Sequence, residues 1–275
     1  MLMKGKKGIV IGVANNRSIA YGIAKSCSEQ GAEVALTYLN DRFLKKITPL
    51  AEKISAKHLY KLDVSNSQEI KDLAKSLEKD FGKIDFIVHS IAYADKDGLS
   101  DKFLNTTKEA FMESLDISAY SLVEISRELY PILNKESSIL ALSYLGAVKY
   151  IPNYNLMGIS KAALEACVRY LSVDLGIDKI RVNALSAGPI KTLAAAGISD
   201  FKFILDWNKY NSPLQDNISI EDVGNSGMYL LSDLSKSVTG EVHYVDGGYN
   251  IMGMAHVQYN EDSKAELTYL KNKKQ

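Results

Sequence analysis

Short runs of apolar, β-branched residues alternate with segments of helical periodicity along nearly the whole chain. Lys7–Val13 (KGIVIGV) reads as a first strand and Ser18–Gln30 as a helix, closed by Gly31 just past its end. Glu33–Tyr38 predicts a second strand, Asp41–Ala56 a helix and His58–Leu62 a short third strand. Ser65-Asn66-Ser67-Gln68 has the form of a capping box and opens a helix that runs toward Phe81-Gly82. Ile84–His89 is apolar almost throughout, as a strand covered on both faces should be. Thr106-x-x-Glu109 starts a long helix to about Tyr130, stopped by Pro131. Ser137–Ser143 predicts a fifth strand, Asn155–Leu175 a helix with Gly176 after it, and Lys179–Leu185 a sixth strand. Ser219-x-x-Asp222 caps a helix to Ser232, and Glu241–Val245 is the last strand, before Gly247-Gly248.

Strands that alternate with helices predict an α/β protein with right-handed crossovers. The expected architecture is a single-domain, Rossmann-type doubly wound fold: a mostly seven-stranded parallel sheet flanked by helices. No linker, repeat or low-complexity tract divides it, so residues 1–256 are taken as one domain. Residues 257–275 are polar and weakly patterned, and are expected to form a loosely ordered tail.

Composition narrows the class. In 275 residues, 33 basic side chains balance 33 acidic ones, which argues against a general nucleic-acid binder. Zero net charge disfavours solubility as a lone subunit and suggests that oligomer contacts cover part of the surface. Cys27 and Cys167 lie far apart in helical patterns, so a reducing compartment is expected. No stretch approaches the roughly 20 apolar residues of a membrane span. The basic start, Met1–Lys7, is followed by no small-residue cleavage site, so a cytoplasmic location is expected.

Candidate chemistry begins at the first strand–helix turn, Gly12-Val13-Ala14-Asn15-Asn16-Arg17-Ser18-Ile19-Ala20-Tyr21-Gly22. It is not G-x-G-x-x-G, yet a Gly-started loop still delivers a helix N-terminus whose free N–H groups suit a pyrophosphate. Ser18 is the expected helix cap and phosphate hydroxyl. A βα turn made by two Asn residues explains the same segment about equally well. Leu62-Asp63-Val64 and His89-Ser90-Ile91-Ala92 then tip the balance. They follow the third and fourth strands, at the carboxyl edge where such folds bind ligands.

The strongest signal is Tyr154-Asn155-Leu156-Met157-Gly158-Ile159-Ser160-Lys161. Seven residues span about two helical turns, so Tyr154 and Lys161 share a face. A nearby ammonium stabilises a phenolate, and Lys161 is expected to lower the Tyr154 pKa. His58, His89, His243 and His256 are scattered and offer no metal-ligand spacing, so no metal is expected. His89, at the end of a buried strand, reads as structural, and the two cysteines as small core side chains.

Together these residues resemble the short-chain dehydrogenase/reductase superfamily, in which the signature is Tyr-x-x-x-Lys. The Tyr-x6-Lys spacing here is similar to its divergent branch, the enoyl-acyl carrier protein reductases, in the bacterial form. Gly12-x5-Ser18-Ile19-Ala20-x-Gly22, Ser143-Tyr144-Leu145-Gly146-Ala147 and Ile151-Pro152-Asn153-Tyr154-Asn155 carry the resemblance. So do Ser186–Ala194, Glu221–Ser226 and Val245-Asp246-Gly247-Gly248. It extends over roughly residues 4–256. Carbonyl-reducing members place a serine 13 positions before the tyrosine; here that position is Ala141. Hydride attack on a carbon conjugated to the carbonyl therefore fits better than ketone reduction.

The resemblance implies Tyr154, Lys161 and Tyr144 as catalytic residues. It implies a cofactor lined by Gly12, Ser18, Ile19, Asp63, Val64, Ile91, Lys161, Ile190, Lys191, Thr192, Leu193 and Ala194. Substrate would meet Ala94, Tyr144 and Tyr154. The cofactor implied is NADH: Asp41 follows the second strand closely enough to exclude a 2′-phosphate, although Arg42, Lys45 and Lys46 could favour NADPH. The implied partners are an acyl carrier protein bearing an enoyl chain and further copies in a homotetramer; neither nucleic acid nor a membrane is expected. Leu193–Tyr210, with Phe201, Phe203, Ile204, Leu205 and Trp207, reads as a mobile substrate lid after the sixth strand. Two other functions remain open at this point: a carbonyl (3-oxoacyl) reductase of the same superfamily, and a non-catalytic nucleotide sensor that keeps the fold.

Overall fold

The computed structural model describes residues 1–95, 98–99, 102–193, 195–259 and 264–272. In chain order it builds β1 (Lys7–Ile11), α1 (Ile19–Glu29), β2 (Glu33–Tyr38), α2 (Asp41–Lys53), β3 (His58–Lys61), α3 (Ser67–Phe81) and β4 (Ile84–His89). Next come α4 (Lys108–Leu115), α5 (Ser121–Leu129), β5 (Leu133–Ser143), α6 (Asn155–Asp174), β6 (Arg181–Ala187) and α7 (Phe201–Asn211). The chain closes with α8 (Ile220–Leu231), β7 (Val242–Val245), β8 (Val257–Tyr259), β9 (Ala265–Leu267) and α9 (Thr268–Asn272).

The first seven strands form one parallel sheet in the order β3-β2-β1-β4-β5-β6-β7. Alternation within each strand feeds two cores. Ile9, Ile11, Ile139, Ala141, Val182 and Ala184 point to the face covered by α3, α5 and α6. Val10, Leu140, Leu142, Leu185 and Ala187 point to the face covered by α1, α2 and α8. β1, β4, β5 and β6 are therefore apolar on both faces, the pattern a doubly covered parallel sheet requires. Cys27 is fully buried in the second core, and burial pushes its thiol up to about 12, which leaves it inert.

Several local expectations shift by a residue or more. Asn66, rather than Ser65, caps α3 by accepting from the N–H groups of Gln68 and Glu69. The Ser65 hydroxyl instead donates to Asp63. Thr107, rather than Thr106, caps α4 through the Ala110 N–H. The Ser219–Asp222 capping box forms as expected. The single long helix expected after Thr106 is divided by a π turn at Asp116–Tyr120, a feature often found beside functional sites.

The loosely ordered tail is a further correction. β8 and β9 form an antiparallel hairpin, and α9 carries Tyr269, only 5% exposed, onto α7. The polar composition hid one ring that finds three others: Phe203, Trp207 and Tyr210. His256 ties the hairpin's base to Thr268 and to Asn211 at the end of α7.

Candidate active site

The strand order changes direction between β1 and β4, and the carboxyl ends of these two strands create a crevice there. Gly12 leaves β1 with φ +102°, and a Cβ on it would stand 2.0 Å from the Ser90 carbonyl oxygen. Only glycine accommodates both the positive φ and this close approach of two strand ends. The following loop is held by Ser18, whose Oγ accepts from the N–H groups of Ala14 (3.0 Å) and Asn15 (3.1 Å). The hydroxyl thus braces the loop instead of capping α1, although Ser18 does occupy the N-cap position. An oxygen that accepts twice keeps its hydrogen for donation, and the first turn of α1 keeps N–H groups with no helical acceptor. That donor set, around a cradle that admits no side chain at Gly12, fits a pyrophosphate.

Asp63 and Val64 lie beyond β3 on the same edge, Val64 buried and the Asp63 carboxylate receiving both the N–H and the hydroxyl of Ser65. Ile91, just past β4, packs against the first core. Across the crevice, Ile190 packs on the second core, and Thr192 turns the chain by accepting from the Ala195 N–H. Lys191 and Leu193 are exposed. Ala194 lies outside the described residues.

Tyr154 occupies the N-cap position of α6, and Lys161 follows two turns on. Both are buried. The Tyr154 and Tyr144 rings meet edge to face with centroids 4.9 Å apart. A Cβ at Gly146 would lie 2.4 Å from the Tyr154 ring, so the Tyr144–Ala147 turn can settle on this tyrosine only with glycine there. Lys161 Nζ donates to the carbonyls of Leu142 (2.7 Å) and Ile91 (3.3 Å), linking the ends of β5 and β4.

Electrostatics here differ from the expectation that Lys161 lowers the Tyr154 pKa. Burial holds the Tyr154 phenol well above its usual range, and Tyr144 and Glu165 add to the effect. Burial pushes Lys161 the other way, down to about 8, with Glu165 opposing. Loss of hydration dominates, so Tyr154 stays a neutral phenol and hence a hydrogen-bond donor. His89 is neutral too: burial, and then the Lys161 charge, push it down to about 3, and its Nε2 meets the Ser121 hydroxyl at 2.8 Å.

Beside these groups lies a third apolar cluster of Leu99, Tyr154 and Met157, with Ala94, Tyr144, Ile151 and Ile198 against it. Three of its members, Ala94, Tyr144 and Tyr154, are those the family resemblance implies for the substrate, and the structure brings them together. The sequence reading named neither Met157 nor Leu99, which carry no signal beyond being apolar.

A set of serines also escaped that reading. Ser114 and Ser118, on either side of the point where the π turn begins, both donate to the Tyr93 carbonyl, and Ser118 Oγ accepts the Tyr93 N–H. Ser160 of α6 completes the clasp at 2.8 Å from Ser114. The clasp fixes the segment of residues 91–94 that follows β4. Ala141 is fully buried within β5, and the next hydroxyl along, that of Ser143, is bound to Glu165 at 2.5 Å. No hydroxyl from this strand is thus left in the place of a ketone-polarising serine.

A dinucleotide crevice at the switch point, with a tyrosine and a lysine at its floor, defines a reductase of the short-chain dehydrogenase type. The family model described as enoyl-(acyl carrier protein) reductase matches residues 12–250, and the chain belongs to that family. The enoyl-(acyl-carrier-protein) reductase (NADH) 1 of Rhizobium meliloti is 54% identical over 256 residues, which cover 93% of this chain and 94% of that protein. The crystal structure of the enoyl-(acyl-carrier-protein) reductase from Anaplasma phagocytophilum in complex with NAD matches with a TM-score of 0.88 at 50% identity, over 92% of this chain and 95% of that one. The enoyl-(acyl-carrier-protein) reductase (NADH) from Aquifex aeolicus matches with a TM-score of 0.90 at 45% identity, over 92% and 100% of the two chains.

Proposed function

We propose that this protein reduces the trans-2 double bond of enoyl-acyl carrier protein thioesters with NADH, in the elongation cycle of fatty-acid biosynthesis. One observation carries the choice over ketone reduction. The Ser143 hydroxyl at the end of β5 is committed to Glu165, while the position 13 before Tyr154, a serine in carbonyl-reducing members, is Ala141, buried in the first core.

NADH, when bound, supplies the hydride that adds to the β-carbon of the enoyl chain. Charge would then grow on the thioester oxygen as an enolate, to which the neutral Tyr154 phenol would donate a hydrogen bond until a proton adds at the α-carbon and the saturated thioester forms. A buried phenol needs no water to reorganise as that charge appears, which is the source of its advantage. Tyr144 orients the thioester against Tyr154 by its edge-to-face contact. Lys161, held by two carbonyls, presents its ammonium to the nicotinamide ribose hydroxyls. Gly12, Ser18 and Ile19 hold the pyrophosphate, while Asp63 and Val64 receive the adenine, Asp63 accepting from its amino group. Ile91 and residues 190–194 line the nicotinamide half. The cluster of Leu99, Met157 and Ile198 receives the start of the acyl chain.

Residues 1–256 act as the catalytic domain, with 257–275 as an appended segment. The working form is a cytoplasmic homotetramer. Supporting this, α6 exposes Ile159, Tyr170 and Val173 on one side, Met112 is exposed on α4, and Tyr120 is exposed just before α5. Among the described residues no helix is long and apolar enough to cross a membrane.

The decisive assay follows NADH oxidation with crotonyl thioester and, separately, acetoacetyl thioester. Turnover of the first supports the proposal. Turnover of the second alone would make the protein a carbonyl reductase, and binding of NADH with turnover of neither would make it a sensor.

A further inference from the structure

Glu165 is a buried carboxylate with no place in the reaction so far. It sits on α6 one turn beyond Lys161, so both side chains share a face, and it is only 5% exposed. Burying a carboxylate costs free energy unless its surroundings repay it: burial raises the Glu165 pKa, and the short bond from the Ser143 hydroxyl (2.5 Å), then the Arg169 and Lys161 charges, oppose that rise. Ser143 ends β5. The residue before it, Leu142, supplies the carbonyl that Lys161 grips most closely, and the residue after it is Tyr144. A contact to Ser143 therefore fixes both the lysine's acceptor and the ring that packs on Tyr154.

We propose that Glu165 is a positioning residue: it anchors the end of β5 through Ser143, and it supplies negative charge one helical turn from the Lys161 ammonium. Lys161 makes its hydrogen bonds to neutral carbonyls, so the charge that offsets its burial comes from Glu165. The other ionisable groups at this corner are Arg169 on the same helix, Tyr154 and Tyr144 ahead of it, His89 on β4 and Tyr244 on β7. His89 stays neutral and the tyrosines stay protonated, which leaves Glu165 as the charge that bears on Lys161, with Arg169 acting on Glu165. The inference rests on the assignment of Lys161 to the cofactor ribose.

The two roles separate by substitution. Glu165→Gln keeps an acceptor for Ser143 and removes the charge. Removing a negative neighbour makes the ammonium easier to deprotonate, so the pH above which NADH binding weakens should fall by about one unit. Ser143→Ala keeps the charge and removes the anchor; kcat should fall about tenfold with the binding profile unmoved. Should Glu165→Gln fail to fold, Glu165→Asp serves, since it keeps the charge and cannot span the same gap: an unmoved profile with reduced kcat is expected. NADH affinity is read by fluorescence titration across pH 6–10, and kcat with crotonyl thioester. A Glu165→Gln profile superimposed on that of the unmodified protein overturns the proposal, as does an equal shift in Ser143→Ala. Absence of NADH binding by the unmodified protein would instead sink the functional reading on which the proposal stands.

Discussion

Two walls of the candidate site are held in unlike ways. On one side, Lys161, Glu165 and Ser143 are buried and joined to the ends of β4 and β5 by directional hydrogen bonds between 2.5 and 3.3 Å. On the other, α7 is held largely by rings: Phe203 and Trp207 stack at 5.8 Å, and Tyr269 from the end of the chain closes over both. Hydrogen bonds to strand ends tolerate little displacement, and a chemical step that depends on one phenol needs that strictness. Ring packing is non-directional and tolerates sliding, which suits a wall that must admit and release an acyl chain. Under the proposed function, chemistry belongs to the first wall and access to the second.

The largest effects should come from the first wall. Tyr154→Phe removes the donor to the developing oxyanion and leaves the fold intact, so kcat should fall about 10²–10³-fold, with NADH affinity unchanged in a fluorescence titration. A fall in affinity instead would give Tyr154 the part assigned to Lys161. Lys161→Ala should weaken NADH binding and lower kcat together, by about 10²-fold in kcat/KM. In the unmodified protein NADH affinity should hold below pH 8 and decline above it, because the ammonium has been pushed down to about 8 and is lost as pH rises through that value. An affinity flat to pH 10 would show that the bound cofactor restores the lysine to its usual range.

Smaller effects should come from the second wall. Trp207 is the chain's one tryptophan, and it bonds to the Tyr249 hydroxyl at 2.9 Å. Tyr269→Ala should uncover it, shifting its emission to the red and changing KM for the thioester by about threefold, with kcat nearly unchanged. A drop in kcat as large as that of Tyr154→Phe would erase the distinction between the walls. The smallest change is expected of Ala141→Ser. Its side chain would enter the first core and not the crevice, so no acetoacetyl thioester turnover should appear.

Much of the first wall was legible because its parts are local. Tyr154 and Lys161 lie on one helix, and a fixed spacing on a helix is a fixed spacing in space. Gly12 and the turn after β1 were legible for a similar reason, since a strand, a glycine and a helix start follow one another directly. Glu165 was not. On sequence alone a glutamate four residues past a lysine reads as a solvent-facing charge pair, and only the packing of α6 on β5 puts it against Ser143. The sign of the Tyr154 shift failed likewise: spacing gives proximity to an ammonium, whereas the degree of burial decides which influence wins. The caps moved by one residue because neighbouring polar side chains compete for the same N–H groups, and Asn66 reaches two of them.

The sequence by itself determined the alternation of strands and helices, the two-faced core, the glycine at the first turn and the Tyr154–Lys161 pair, because each follows from periodicities of two or 3.6 residues along a short stretch. The tertiary structure alone decided which groups lose their water. That loss keeps Tyr154 a neutral donor, lowers Lys161, gives Glu165 a partner 22 residues earlier in the chain, and brings Tyr269 onto α7. Desolvation depends on what the rest of the chain covers, and no local pattern of residues carries that information.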